Sequence, residues 1–261
     1  MLRITDVAKN LLIINVMFFL AGFIFGEQQM LDLLALHYPE SSLFKPIQLV
    51  THFFMHGGLM HLFFNMFALV MFGSALETRW GPKRFLLFYF ICAFGSAALH
   101  MGYSWYEMNQ LQEYMTAYKA NPSVDVFRSF IEFGGLDEIP EIVDLMNKMG
   151  RSLTPQLIGE GNGLMNEFYN LKINVPVVGA SGAIYGLLLG FGMLFPNVEL
   201  MLIFLPIPIK AKYFIPVLML VELYLGFNQF SWDNIAHFAH LGGALTGFLL
   251  ILYWRQTGQG V

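Results

Sequence analysis

Charge is scarce in this chain. Asp, Glu, Lys and Arg make up 12% of its 261 residues, against 56% hydrophobic and 16% aromatic, a mixture too apolar for an ordinary water-soluble domain. No polybasic run occurs and the formal net charge is −4, so the electrostatic footprint of a nucleic-acid binder is missing. There is one cysteine, Cys92. It cannot form an internal disulfide, and its place in an apolar run makes it a packing residue. The first apolar run ends at Glu27 and Gln28 without a small-residue cleavage site, which predicts a retained anchor and not a signal peptide. Two hydrolase signatures are also lacking: the zinc-binding H-E-x-x-H, and the G-x-S-x-G elbow, which would need glycine at Ala183.

What the chain has is length of apolar sequence. Runs near Val7–Phe25, Leu59–Leu76, Phe85–Gly102, Val177–Phe195, Tyr213–Phe227 and Ile235–Trp254 predict an all-α membrane protein, a six-transmembrane helical bundle. The fifth run is short and holds Pro216 and Glu222, which blur its edges. Lys and Arg gather at the N-terminus (Arg3, Lys9), in the second loop (Arg79, Lys83, Arg84), in the fourth (Lys210, Lys212) and at the C-terminus (Arg255). Six spans put those places on one side, so both termini are expected to be cytoplasmic. The first loop, from Glu27 to about Gly57, is semi-apolar but broken by Pro39 and Pro46, and is expected to lie in the interface.

Between the third and fourth runs lies a polar stretch, 103–174, with ten acidic and five basic residues. Helical spacing on either side of Asn121-Pro122 and Gly150 predicts an external insert of amphipathic helices. The organisation is therefore a membrane portion over 1–102, the insert over 103–174, and a second membrane portion over 175–261. The acidic face of the insert is read as a solvated surface.

With an inside N-terminus, the second, fourth and sixth spans run in the same direction, so their first turns share one depth. His56, His61 and Asn65 fall at the second, Ser181 at the fourth, and His237 and His240 at the sixth. Polar groups converging within a bilayer mark a site. Gly182, Gly186 and Gly190 follow the serine at four-residue spacing, and Gly243 and Gly247 follow His240; such small-residue faces let helices approach closely. Packing alone accounts for the glycines but leaves the serine optional. A serine hydroxyl needs a neighbouring base, most often histidine, to become a nucleophile. His61 and Asn65, at i and i+4 on one helix face, are candidate donors to a developing oxyanion.

"GASG" from Gly179 to Gly182 with Tyr185 beyond it, "HGGLMHLFFN" ending in Asn65, and "AHLGGALTG" starting at Ala239 together resemble the rhomboid family of intramembrane serine proteases. The resemblance covers the six spans and leaves out the insert. It implies a Ser181–His240 dyad without the aspartate of a triad, with His61 and Asn65 stabilising the oxyanion and Tyr185 against the histidine ring. Gly179, Gly182, Gly243 and Gly247 have supporting places in the same motifs. It further implies membrane-spanning protein substrates, with small residues at the scissile bond, and a water-filled cavity opening to the external or periplasmic side. No metal or cofactor is required. The expected setting is a multi-pass protein of a bacterial inner membrane. One departure stands in the first loop, where many rhomboids have Trp-Arg and this chain has Ile47-Gln48.

Two rival readings stand beside this one. His52, His56 and His61 with His237 and His240 superficially resemble the histidine boxes of membrane metalloenzymes, although that leaves Ser181 and Asn65 without a part. A non-catalytic rhomboid-like binding protein is the second rival. An Asp233–His237 pair is a candidate for tuning the entrance, against Asp233 as a helix cap. His52 and His56 are read as structural hydrogen bonders, His37 and His100 are unassigned, and the fifth span, with "YLGFNQF" (224–230) at its outer end, is the expected gate.

Overall fold

The computed structural model describes residues 4–202, 205–228 and 235–258. Asp233 and the end of the expected gate, 229–230, lie outside them. The chain is an all-α membrane protein. Among the described residues, five helices are long and apolar enough to cross a membrane: α1 (Asp6–Phe25), the rod Leu59–Trp80, α6 (Pro82–Ala120), α11 (Ala211–Asn228) and α12 (His237–Gln256). The rod comprises α4 (Leu59–Ala68), a π-helical turn (Leu69–Gly73) and α5 (Ser74–Trp80). A sixth apolar helix, α10 (Ser181–Leu194), has 14 residues. It is shorter than the run Val177–Phe195 because 177–180 are not helical. Val177 pairs with Leu36 as an isolated antiparallel bridge, and Gly179 has φ 121°, where only glycine is at ease. Ser181 is thus the first residue of its helix.

α6, α10 and α12 form the centre of the bundle and pack on one another along their small-residue faces. Cys92, fully buried, sits between Gly186 and Gly247. Around this centre lie helices whose outward side chains are large and apolar: Met17, Leu20, Phe23 and Ile24 on α1, and Val217, Leu220 and Phe227 on α11 are all exposed. Such a belt belongs against lipid tails. Glu77 of α5 joins the first span to the second. Its carboxylate accepts from the Thr5 hydroxyl and from the Val7 and Ala8 N–H groups at 2.5, 3.1 and 3.0 Å, satisfying free donors at the start of α1.

α6 does not stop at Gly102. Its 39 residues reach about 58 Å at 1.5 Å per residue, roughly twice a hydrocarbon core, so the third span continues as the first helix of the insert. α7 (Val124–Phe133), α8 (Pro140–Arg151) and α9 (Pro155–Ile173) complete it. Their starts follow local chemistry: the Ser123 and Thr154 hydroxyls accept from the Val126 and Leu157 N–H groups, and Pro140 and Pro155 open their helices. The insert has a core of its own, including Leu111, Tyr118, Phe127, Phe130, Ile131 and Met165. Tyr38 of the first loop joins it. One feature has no counterpart in the expected outline: an antiparallel pair, β1 (Glu199–Leu202) with β2 (Leu205–Lys210), precedes α11.

Candidate active site

The first loop builds the platform. It contains α2 (Glu27–Leu34), α3 (Gln48–Thr51) and a 3-10 turn over His52–Phe54. Gln48 is fully buried. Its Oε1 accepts from the His37 and Lys45 N–H groups at 3.3 and 3.1 Å, and its Nε2 donates to the Leu43 and Asp32 carbonyls at 2.8 and 3.1 Å. The residue that departs from the family pattern is therefore the knot of the loop. The loop in turn holds the segment before the serine. Leu36 and Val177 exchange backbone bonds at 2.9 and 2.8 Å, and the Gly179 N–H donates to the His52 carbonyl at 2.9 Å.

Ser181, half-buried at the start of α10, has its Oγ 3.0 Å from Nε2 of His240. His240 stands in the first turn of α12 and is 8% exposed. Tyr185, one turn below the serine, stacks on the His240 ring with centroids 4.1 Å apart and planes 9° from parallel. The two helices meet backbone to backbone: a Cβ on Gly182 would fall 3.3 Å from the Ala239 carbonyl, and one on Gly247 would fall 3.3 Å from the Cα of Gly186. Side chains here would push the hydroxyl and the imidazole apart.

His61, in the first turn of α4, reaches the same place. A Cβ on Gly179 would lie 2.9 Å from His61 Nε2 and 3.5 Å from Ser181 Oγ, so both line one small space. The Gly57 N–H lies 3.4 Å from His61 Nδ1. That long hydrogen bond needs a lone pair on Nδ1 and leaves the hydrogen on Nε2, the nitrogen facing the serine. Asn65 is buried beneath, and its amide donates to the His61 carbonyl at 3.0 Å. One of the two hydrogens of this amide is thus engaged within its own helix.

One residue of this site was not among the candidates. Glu222 of α11 is 6% exposed, and its Oε2 lies 2.9 Å from His240 Nδ1 and 2.7 Å from His237 Nδ1. The Tyr185 hydroxyl donates to its other oxygen. A carboxylate only accepts, so both imidazoles present Nδ1–H to it, and His240 keeps its Nε2 lone pair for Ser181. The sequence did carry a signal: an acid inside an apolar span is costly unless partnered, and is a functional candidate by default.

His237 meets Glu222 and not the serine. His52 Nδ1 lies 2.5 Å from the Gln48 carbonyl, and His56 Nδ1 lies 3.3 Å from that of Phe54. Burial pushes both imidazoles down to about 4, so both are neutral near pH 7. Among the described residues, the histidines and carboxylates close enough to share a metal ion are Glu222, His237 and His240, with donor atoms within 4.8 Å of one another. The first-loop histidines that a histidine box would need do not join them.

The family model described as the rhomboid domain matches residues 44–111 and 152–257, passing over the middle of the insert. Over 79 residues the chain is 35% identical to Rhomboid protein 1, mitochondrial, of Saccharomyces cerevisiae, covering 30% of this chain and 22% of that protein. Over 52 residues it is 40% identical to RHOMBOID-like protein 6, mitochondrial, of Arabidopsis thaliana, covering 20% and 17%. The chain thus matches about a fifth of the length of these relatives. Both carry a mitochondrial label, so the comparisons lend no support to the expected bacterial inner membrane.

Proposed function

Because the chain belongs to the rhomboid family, we propose that it is an intramembrane serine protease, cutting membrane-spanning proteins in or near their transmembrane segments. The observation that carries this reading is the 3.0 Å contact between Ser181 Oγ and His240 Nε2 at the mouths of two adjoining apolar helices. In the reaction, the Ser181 oxygen attacks the scissile carbonyl carbon while its proton passes to His240 Nε2. The carbonyl electron pair moves onto oxygen, where the Ser181 N–H and His61 Nε2–H donate. Asn65 joins them with the second hydrogen of its amide. The imidazolium then gives its proton to the amide nitrogen as the C–N bond breaks, leaving an acyl-serine. Water, losing a proton to His240, releases the acid and restores the hydroxyl. Tyr185 keeps the imidazole ring in plane throughout.

The substrate segment would unwind near its outer end, since a helix hides its carbonyls in its own hydrogen bonds. Loop charges favour both termini in the cytoplasm and the site opening on the opposite side. The test is cleavage of a tagged single-span substrate in liposomes by wild type, Ser181→Ala and His240→Ala, each with and without a chelator. Cleavage that survives chelation and vanishes in both variants is expected. A wild-type protein that ignores serine-directed fluorophosphonate, and whose activity is lost to chelation, would overturn the reading in favour of a metalloenzyme. Equal cleavage by Ser181→Ala would overturn it as well.

A further inference from the structure

The carboxylate of Glu222 sits where the dyad expectation leaves nothing. It faces the side of His240 opposite the serine, at 2.9 Å from Nδ1, and three helices, α10, α11 and α12, converge to hold it there. Tyr185 of α10 donates to Oε1, while His237 and His240 of α12 share Oε2 at 2.7 and 2.9 Å. Gly226, one turn further along α11, lets that helix lie against α12, since a Cβ there would stand 3.1 Å from the Cβ of His237. Elsewhere α11 presents large apolar side chains outward. A fully partnered carboxylate on such a helix is more than a solvated charge.

We propose that Glu222 is a positioning residue for the serine protease reaction: it holds His240 in the Nδ1–H tautomer, with the Nε2 lone pair on Ser181, and its negative charge stabilises the imidazolium formed as Ser181 attacks. The proposal rests on the serine protease reading. It turns the expected two-residue site into a Ser181–His240–Glu222 relay whose third member comes from a neighbouring helix. No proton is transferred to Glu222; the Nδ1–H bond shortens as His240 gains charge, and the carboxylate stays ionised. His237 and Tyr185 hold Glu222 in turn, so its oxygens cannot rotate away from His240.

Two substitutions separate the parts of this role. Glu222→Gln keeps the volume and an acceptor oxygen but removes the charge. Glu222→Leu removes both. Cleavage by the full chain in liposomes is expected to show kcat down about 10³- to 10⁴-fold for Glu222→Leu and by up to about 10⁴-fold for Glu222→Gln, whose amide can turn a donor towards Nδ1 and impose the wrong tautomer, with KM within a few-fold of wild type. Glu222→Asp, which keeps the anion on a shorter arm, is expected to recover part of the kcat lost in Glu222→Gln. The second readout needs no turnover: in histidine-15N-labelled protein, the His240 resonances, assigned by their loss in His240→Ala, should report Nδ1–H in wild type and a mixture of tautomers in Glu222→Leu. A role in packing alone would lower Tm and leave both kcat and tautomer unchanged in Glu222→Gln and Glu222→Leu refolded to the same helicity, and would overturn the proposal. So would hydrogen on Nε2 of His240 in wild type. If wild type cleaves nothing while His240 carries Nδ1–H as expected, the protease reading falls and the placement of the proton by Glu222 stands.

Discussion

A Cβ built on Gly243 would stand 1.8 Å from the carbonyl oxygen of Gly182. The two backbones therefore touch, with Ser181 one residue before one contact point and His240 three before the other. The hydrogen bond between them is a product of that crossing as much as of the side chains. Gly243→Ala forces α12 away from α10, because the listener to the added methyl is a backbone carbonyl and not a movable side chain. Overpacking of this sort costs about 1–3 kcal/mol, and a displacement near 1 Å costs about 100-fold in rate. Cleavage is expected to fall at least about that far, with a lower Tm. Gly163→Ala, in the interior of α9 where a Cβ meets nothing within 4 Å, should leave cleavage unchanged and raise Tm slightly.

The oxyanion donors are expected to be unequal. His61 has its Nε2 facing the serine's space and its Nδ1 on the Gly57 N–H, so His61→Ala should lower kcat about 10²- to 10³-fold with KM little changed. Asn65 has one amide hydrogen on the His61 carbonyl and only the other to offer, so Asn65→Ala should cost less than His61→Ala. Single-turnover acylation rates of the two variants would measure the difference. A larger loss for Asn65 would mean that His61 is not the principal donor.

The outline and the centre of the site were legible in the sequence, because a bilayer imposes long apolar helices and makes polar groups within them conspicuous. Ser181, His240 and His61 stand out on this ground, Tyr185 enters only with the resemblance of the motifs, and the structure brings all four together. Glu222 was visible as a residue but not as a partner. Nothing in one sequence says which face of α11 turns towards α12, and the contact spans 18 positions. The continuity of α6 through Gly102 was hidden for a different reason. Hydropathy falls where a helix leaves lipid, yet the backbone bonds continue wherever no proline or cap intervenes, and none does before Asn121. Gln48 was noted only as a departure, since its partners are all backbone groups and leave no trace in side-chain pattern.

Gln48 gives a prediction of its own. Gln48→Ala strands the His37 and Lys45 N–H groups and the Leu43 carbonyl, and each buried polar group left unpaired costs about 1–3 kcal/mol. Because the Gly179 N–H hangs on the His52 carbonyl in the same loop, loosening the loop should also disorder the approach to Ser181. The expected outcome is a Tm several degrees lower, with fluorophosphonate labelling of Ser181 slowed. Unchanged labelling at a lowered Tm would separate the loop from the site.

His52 and His56 predict how the fold responds to acid. Burial lowers both imidazoles from an ordinary 6.5 to about 4, so between those values the unfolded chain binds protons that the folded chain refuses. Unfolding then takes up protons, and stability rises with pH across this window. Their neutral forms cost nothing above about pH 6.5; below it stability is lost progressively, and the loss is complete once the folded chain also protonates, near 4. At 1.36 kcal/mol per unit, each histidine accounts for roughly 3 kcal/mol at the acid end. His56→Phe keeps an aromatic ring beside His61, which it meets at 5.1 Å between centroids, and removes one titrating group. Its Tm, followed from pH 7 to 4, should fall less steeply than that of wild type. Parallel curves would mean that His56 takes up its proton as readily in the folded chain as in the unfolded one.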